Sequence, residues 1–167
     1  THLEMLGIAE NTLVFFLGDN GSDYSSKPLR GKKAERFEGG TRVPFIVSWA
    51  KPSDSEIQSR WPIQAGTHHT ESFGTILDLM PTILNLTDTQ APEGYILDGY
   101  DLRAVHAGET KQTFLMHFPH KHRSSYFTTW HNGDWKLIYQ YHSEPRLQLF
   151  NLAKDRSERN DLSLIHT

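Results

Sequence analysis

Asp19 and Asn20 stand directly behind the apolar run Thr12–Leu17 (TLVFFL). In open α/β sheets, ligands bind at the carboxyl ends of the strands. A carboxylate beside an amide oxygen offers hard oxygen ligands, suited to Ca²⁺ or Mg²⁺ rather than to a soft metal. The same pair with Gly21 also makes an ordinary turn closed by Asx hydrogen bonds. A second set follows at once. Between Lys27 and Arg42 lie Lys27, Arg30, Lys32, Lys33, Arg36 and Arg42 against Glu35 and Glu38. In a chain of net charge −3 this is a local positive field. Beside the acid–amide pair it would focus an anion such as a sulfate or phosphate ester. As a plain solvated loop it needs no ligand. A third set is His117-Phe118-Pro119-His120-Lys121-His122. Alternating histidines at a strand end can hold metal, shuttle protons or touch a substrate, or simply face water. Zinc fits poorly, because the chain has no cysteine and no helical His-x-x-x-His. There is no Gly-x-Ser-x-Gly elbow and no phosphate-binding glycine loop, and Gly39-Gly40 precede a strand rather than follow one.

These residues need elements to hold them. Thr12–Leu17 is short, apolar and rich in β-formers, which predicts a strand buried on both faces, as in a parallel sheet between helices. Val43–Trp49 predicts a second, with Pro44 near its start. Ser22–Gly40 reads as a long polar loop, and Lys51–His69 as another irregular stretch. Thr1–Gly7 resembles the last turns of a helix closed by Gly7. Glu71–Leu86 is helical in pattern, with Thr75 and Asp78 as caps and Pro81 in a first turn. From Thr113 onward short strands are predicted at Thr113–Phe118, Tyr126–Trp130, Trp135–Tyr141 and Leu147–Leu152, with Asn132-Gly133 marking a hairpin. The expected fold class is α/β: part of a mixed sheet, then a small antiparallel sheet.

The chain has 167 residues, enough for roughly one ordinary domain. Hydrophobic residues make up 37 %, and no stretch is long and apolar enough for a membrane span. The net charge of −3 argues against nucleic acid as a partner. No secretory signal opens the chain, and no initiator Met either, so it reads as one whose beginning has been cut off.

The residues Asn11–Trp49 resemble the core of a type I sulfatase of the alkaline phosphatase superfamily. The resemblance rests on Asp19-Asn20-Gly21, Leu29-Arg30-Gly31-Lys32-Lys33 and Glu38-Gly39-Gly40-Thr41-Arg42-Val43-Pro44. Later landmarks are similar too: Asp78-Leu79-Met80-Pro81-Thr82, Asp98-Gly99-Tyr100-Asp101-Leu102, Gly133-Asp134-Trp135-Lys136-Leu137-Ile138, and Asp155-x-x-Glu158, where Arg156 replaces the usual Pro. The resemblance implies an alkaline-phosphatase-like sandwich of a mixed sheet between helices over residues 1–110, and a small antiparallel subdomain over 111–167. It implies Asp19 and Asn20 as half of a Ca²⁺ (or Mg²⁺) site. It makes Lys33 the catalytic, sulfate-contacting lysine and His117 and His120 substrate-facing residues. It implies a sulfated small molecule or glycan as substrate, with specificity in the loops 51–69 and 117–125, and a periplasmic or secreted protein.

The family's Cys/Ser-x-Pro-Ser-Arg motif, source of its formylglycine nucleophile, is absent. So are its paired aspartates and its catalytic His and Lys of the middle segment. The expectation is therefore a C-terminal portion only, inactive alone, relying on a missing N-terminal portion for formylglycine and for the rest of the metal site. Without that portion the two predicted strands would bare apolar faces. Two alternatives stand beside this: a phosphate or phosphonate ester hydrolase of the same superfamily, and a truncated non-catalytic carbohydrate-binding protein using His117, His120, Tyr126, Trp130, His131, Trp135, Tyr139 and Tyr141.

Overall fold

A computed structural model describes residues 1–70, 73–107, 113–123 and 126–164. The chain divides into two compact units, Thr1–Leu17 with Phe45–Lys111, and Gly18–Pro44 with Gln112–Thr167. Glu71 and Ser72, where the predicted helix was to begin, lie outside the described residues, as do residues 110 and 111 at the predicted subdomain boundary and 124–125 of the predicted specificity loop.

In the first unit, α1 (His2–Met5) is capped by Thr1 and Glu4 in a reciprocal capping box. Strands β1 (Leu13–Leu17) and β2 (Phe45–Trp49) pair antiparallel, with Leu13 opposite Trp49 and Leu17 opposite Phe45. Leu13, Phe15 and Val47 share one face and pack on Trp49, Trp61, Leu86 and Leu102. The opposite face carries Val14, Phe16 and Ile46, with Phe16 61 % and Ile46 58 % exposed. This corrects the expectation of parallel strands buried on both sides. A continuous apolar run does not distinguish one covered face from two, and among the described residues helices and loops cover only one.

The short helix α3 (Glu56–Ser59) buries Gln58, whose amide is satisfied by Glu10 O, Lys51 O and the Ser53 N–H. The predicted helix begins later than its pattern suggested: a 3₁₀ turn at Ile76–Asp78 leads into α4 (Leu79–Leu86). Thr75 is extended and forms a capping box with Asp78, which stops the helix from running further back. Asp78 is fully buried; its carboxylate accepts from the Thr75 and Tyr100 N–H groups, at 2.5 and 2.8 Å. Thr82 Oγ accepts from the Leu102 N–H at 2.9 Å. The Asp78 to Thr82 motif thus ties α4 to the segment that opens α5 (Leu102–His106), capped by Asp101.

In the second unit, β3 (Thr113–Phe118), β4 (Phe127–Asn132), β5 (Trp135–Gln140) and β6 (Leu147–Asn151) pair in chain order, all antiparallel. Asn132 pairs with Trp135, so Gly133 and Asp134 form a two-residue hairpin turn. Ile138, Phe150 and Leu152 make its core with Phe37, which meets Phe150 edge-on at 6.4 Å. Phe37 precedes a single helical turn, α2 (Glu38–Thr41). The segment Gly18–Pro44 is thus not a free polar loop but an insertion seated on the sheet of its own unit. The fold class is α/β as expected: an early two-stranded sheet among helices, followed by a four-stranded antiparallel sheet.

Candidate active site

The Gly18–Pro44 segment folds by folding back on its own glycines. The Gly21 N–H donates to Gly40 O at 2.9 Å, and the Gly39 N–H donates to Arg30 O at 2.7 Å. These approaches leave no room for side chains: a Cβ on Gly39 would lie 2.4 Å from Gly31 O, and one on Gly21 would lie 1.9 Å from Gly39 O. Glycine is required here for closeness. The result is a cavity of about 420 Å³, with Asn20, Ser22, Ser26 and Arg42 as polar lining and Leu29 and Val43 as apolar lining.

The predicted site residues fall unequally around it. Asn20 lines the cavity. Lys33 is half-buried and does not line the cavity; its backbone N–H donates to the carbonyl of the lining residue Ser22 at 2.9 Å. Asp19 is exposed and adds no side chain to the lining. His117 is exposed on β3, where its Nδ1 lies 2.7 Å from Thr128 Oγ, and its ring meets Tyr141 edge-on. His120 packs its ring 3.9 Å from that of Phe118. Neither histidine lines the cavity.

Among the described residues, no three or more His, Cys, Asp or Glu are grouped to hold a metal ion. This corrects the expected Ca²⁺ (or Mg²⁺). Asp19 and Asn20 make a single acid–amide pair, far short of the ~6–8 oxygens that Ca²⁺ takes. The donor set present does not fit the ion.

The lining residue Arg42 leads to a cluster of buried charge. Lys136 and Glu158 are fully buried and Glu38 is 2 % exposed. The Lys136 ammonium donates to Glu38 Oε1 at 2.9 Å and lies 2.8 Å from Glu158 Oε1, an ion pair without hydrogen-bond alignment. Glu158 Oε2 accepts from the Glu38 N–H at 2.6 Å. Glu38 Oε2 accepts from Arg42 Nε at 2.6 Å. Arg30 donates to the Glu158 carbonyl at 2.8 Å and stacks on Phe37. His131 Nε2 sits 3.8 Å from Glu38 Oε1. Burial pushes the Glu38 carboxyl up, but Lys136 and Arg42 outweigh it and hold it at about 2. Burial also raises Glu158, here only partly offset by Lys136. Burial, then the Lys136 charge, holds His131 down at about 4.

Sequence reasoning did not assign a role to this cluster. The signal was present in two forms. Glu38, Lys136 and Glu158 each sit in a segment that resembles a family motif. Lys136 also occupies an inward position of β5, in step with Ile138 and Gln140, where a charge is out of place unless paired.

The sulfatase family model matches residues 1–89. Human steryl-sulfatase is 28 % identical over an alignment of 205 residues, covering 96 % of this chain and 33 % of that protein. Rat N-acetylgalactosamine-6-sulfatase is 37 % identical over 108 residues, covering 60 % of this chain and 18 % of that protein. Among solved structures, Ps i-CgsB superposes with a TM-score of 0.79 at 27 % identity, over 96 % of this chain and 34 % of its own. The complex of Ps i-CgsB with k-i-k-neocarrahexaose gives 0.75 at 27 % identity, over the same 96 % and 34 %. The chain spans about a third of the length of human steryl-sulfatase and of Ps i-CgsB.

These matches correct three linked expectations. The family match starts at residue 1, and the structural likeness takes in 96 % of the chain, so the resemblance is to the sulfatase domain across nearly all of it rather than to a C-terminal portion only. The need for a missing N-terminal portion, as source of formylglycine and metal, has no support in them. The same finding overturns the expectation that the chain alone is inactive.

Proposed function

The chain belongs to the sulfatase family, and from that premise we propose that it is a hydrolase of sulfate esters whose anionic head enters the cavity of the 18–44 segment. The observation that carries this reading is that the residues Asn20, Ser22, Ser26 and Arg42 all border one small cavity, whose wall is otherwise mostly apolar. A guanidinium matches two sulfate oxygens with parallel N–H donors. The amide and hydroxyl groups add neutral donors to the remaining oxygens. Lys33, whose backbone is tied to the lining residue Ser22, is the proposed catalytic cation, its ammonium reaching the cavity when substrate is bound. An ammonium there offsets charge gathering on the leaving oxygen as the sulfur–oxygen bond breaks. Asp19, next to Asn20, is proposed to shape the mouth of the site.

A sulfated carbohydrate is the favoured substrate, with an aryl sulfate as the other. Support comes from the glycan complex of Ps i-CgsB and from N-acetylgalactosamine-6-sulfatase. His117 and His120 are proposed to meet the organic part of the substrate, from a face that also carries Tyr139 and Tyr141. The division into an α/β part at 1–110 and an antiparallel part at 111–167 is kept as a proposal. Likeness to glycan-acting relatives supports work outside the cytoplasm, periplasmic or secreted. Among the described residues, no helix is long and apolar enough to cross a membrane.

Hydrolysis of 4-nitrophenyl sulfate against 4-nitrophenyl phosphate tests the reaction class. The sulfate is expected to be turned over with the higher kcat/KM. Faster turnover of the phosphate would overturn the reading.

A further inference from the structure

We propose that Lys136, Glu38 and Glu158 form a positioning device that aims the Arg42 guanidinium at the cavity of the 18–44 segment. The proposal rests on reading that cavity as the sulfate-ester site. A fully buried ammonium is costly unless neighbouring anions compensate it. Here two carboxylates do so, and each uses its other oxygen on the cavity-forming segment. Glu38 Oε2 accepts from Arg42 Nε at 2.6 Å. Glu158 Oε2 accepts from the Glu38 N–H at 2.6 Å, fixing the start of α2. The Glu158 carbonyl holds Arg30 at 2.8 Å, and the Arg30 carbonyl in turn holds the Gly39 N–H at 2.7 Å.

Lys136 lies in the middle strand pair of the four-stranded sheet and Glu158 in the turn beyond β6. The sheet is thus the rigid base, and Glu38 is the lever between it and Arg42. The Arg42 side chain is 47 % exposed, and the carboxylate that holds its Nε is only 3 % exposed, so the bond anchors a half-exposed cation to a buried group. With Nε held by Glu38, the terminal nitrogens stay available to an anion. A buried ion cluster is weak grounds for stability by itself, since apolar replacements are often neutral. Its physical use here is direction: it fixes which way one cation points.

The test uses the full chain, with Arg42 Nε–H observed by ¹⁵N NMR and assigned through its loss in Arg42→Gln. Glu38→Gln is expected to keep a cooperative melt and to lose protection of the Arg42 Nε–H from exchange. It is also expected to bind 4-nitrophenyl sulfate about tenfold more weakly, the cost of one charge-assisted hydrogen bond. KM should rise more than kcat falls. A folded Glu38→Gln with unchanged resonance and unchanged affinity would overturn the proposal. Should that variant fail to fold, Lys136→Met combined with Glu158→Gln removes one charge of each sign from the cluster. Weaker binding and a deprotected Arg42 Nε–H then support the proposal, and unchanged values overturn it. If the unaltered chain binds neither sulfate nor phosphate ester, the reading of the cavity fails, and the Arg42 resonance alone decides whether the cluster aims that side chain.

Discussion

His131 shows how one side chain converts its surroundings into pH dependence. It is buried beside Lys136 and near Glu38 and Arg42, and burial and the two cations hold its imidazole at about 4. In the unfolded chain the ring takes up a proton near 6.5; in the folded chain it does so only near 4. Between those values the unfolded state binds more protons, so stability falls as pH drops through the window. The shift corresponds to a loss of ~3 kcal/mol across it. Urea unfolding at pH 7 and pH 4.5 checks this: His131→Gln is expected to flatten the slope. Glu38 acts in the same direction further down, losing its contribution as pH falls from the ordinary carboxylate range toward about 2. Glu158, raised by burial, opposes it: folding lifts its carboxyl above the ordinary range, so its contribution falls as pH rises through that raised value. At this scale the sequence was partly legible. Asn20 was drawn from turn chemistry at a strand end and Lys33 from the family resemblance, the basic run alone leaving six candidates; the roles of both are proposals. The partners of Lys136 could not, because Glu38 lies 98 residues away in the chain and spacing speaks only for near neighbours.

Elements were more legible where the local signal was also the tertiary one. The four strands from Thr113 to Asn151 follow from alternation and a hairpin turn, and the register of the sheet agrees. The capping of the 3₁₀ turn that leads into α4 by Thr75 and Asp78 was readable for the same reason. The pairing of β1 and β2 was not, since TLVFFL has the same pattern whether one face or both are covered. The 18–44 segment was the least legible, for it has no period and owes its form to glycines touching backbone. That origin makes a sharp expectation. Gly39→Ala places a methyl 2.4 Å from Gly31 O and 2.5 Å from Arg30 O. Backbone must move, and a loss of about 2 kcal/mol or more is expected by analogy with overpacked cores. Thermal unfolding measures it, and a melting point equal to that of the parent would refute this account of the segment.

At the scale of the whole molecule, motifs carried more than composition did. Net charge and hydropathy argued only against some partners, whereas three short motifs within residues 19–44 pointed to the family that the match over residues 1–89 then established. Motif absence was the weaker guide. It led to the expectation of an inactive C-terminal piece, which the comparisons do not support; the expected Ca²⁺ came instead from the Asp19-Asn20 pair, and the placed side chains do not support it. The central claim is that the 18–44 cavity binds a sulfate ester through Arg42. Calorimetric titration of 4-nitrophenyl sulfate into the parent chain and into Arg42→Gln tests it most directly. Saturable binding in the parent, preferred over the phosphate and weakened about tenfold or more in Arg42→Gln, is the predicted result. Equal affinity in the two proteins would contradict it.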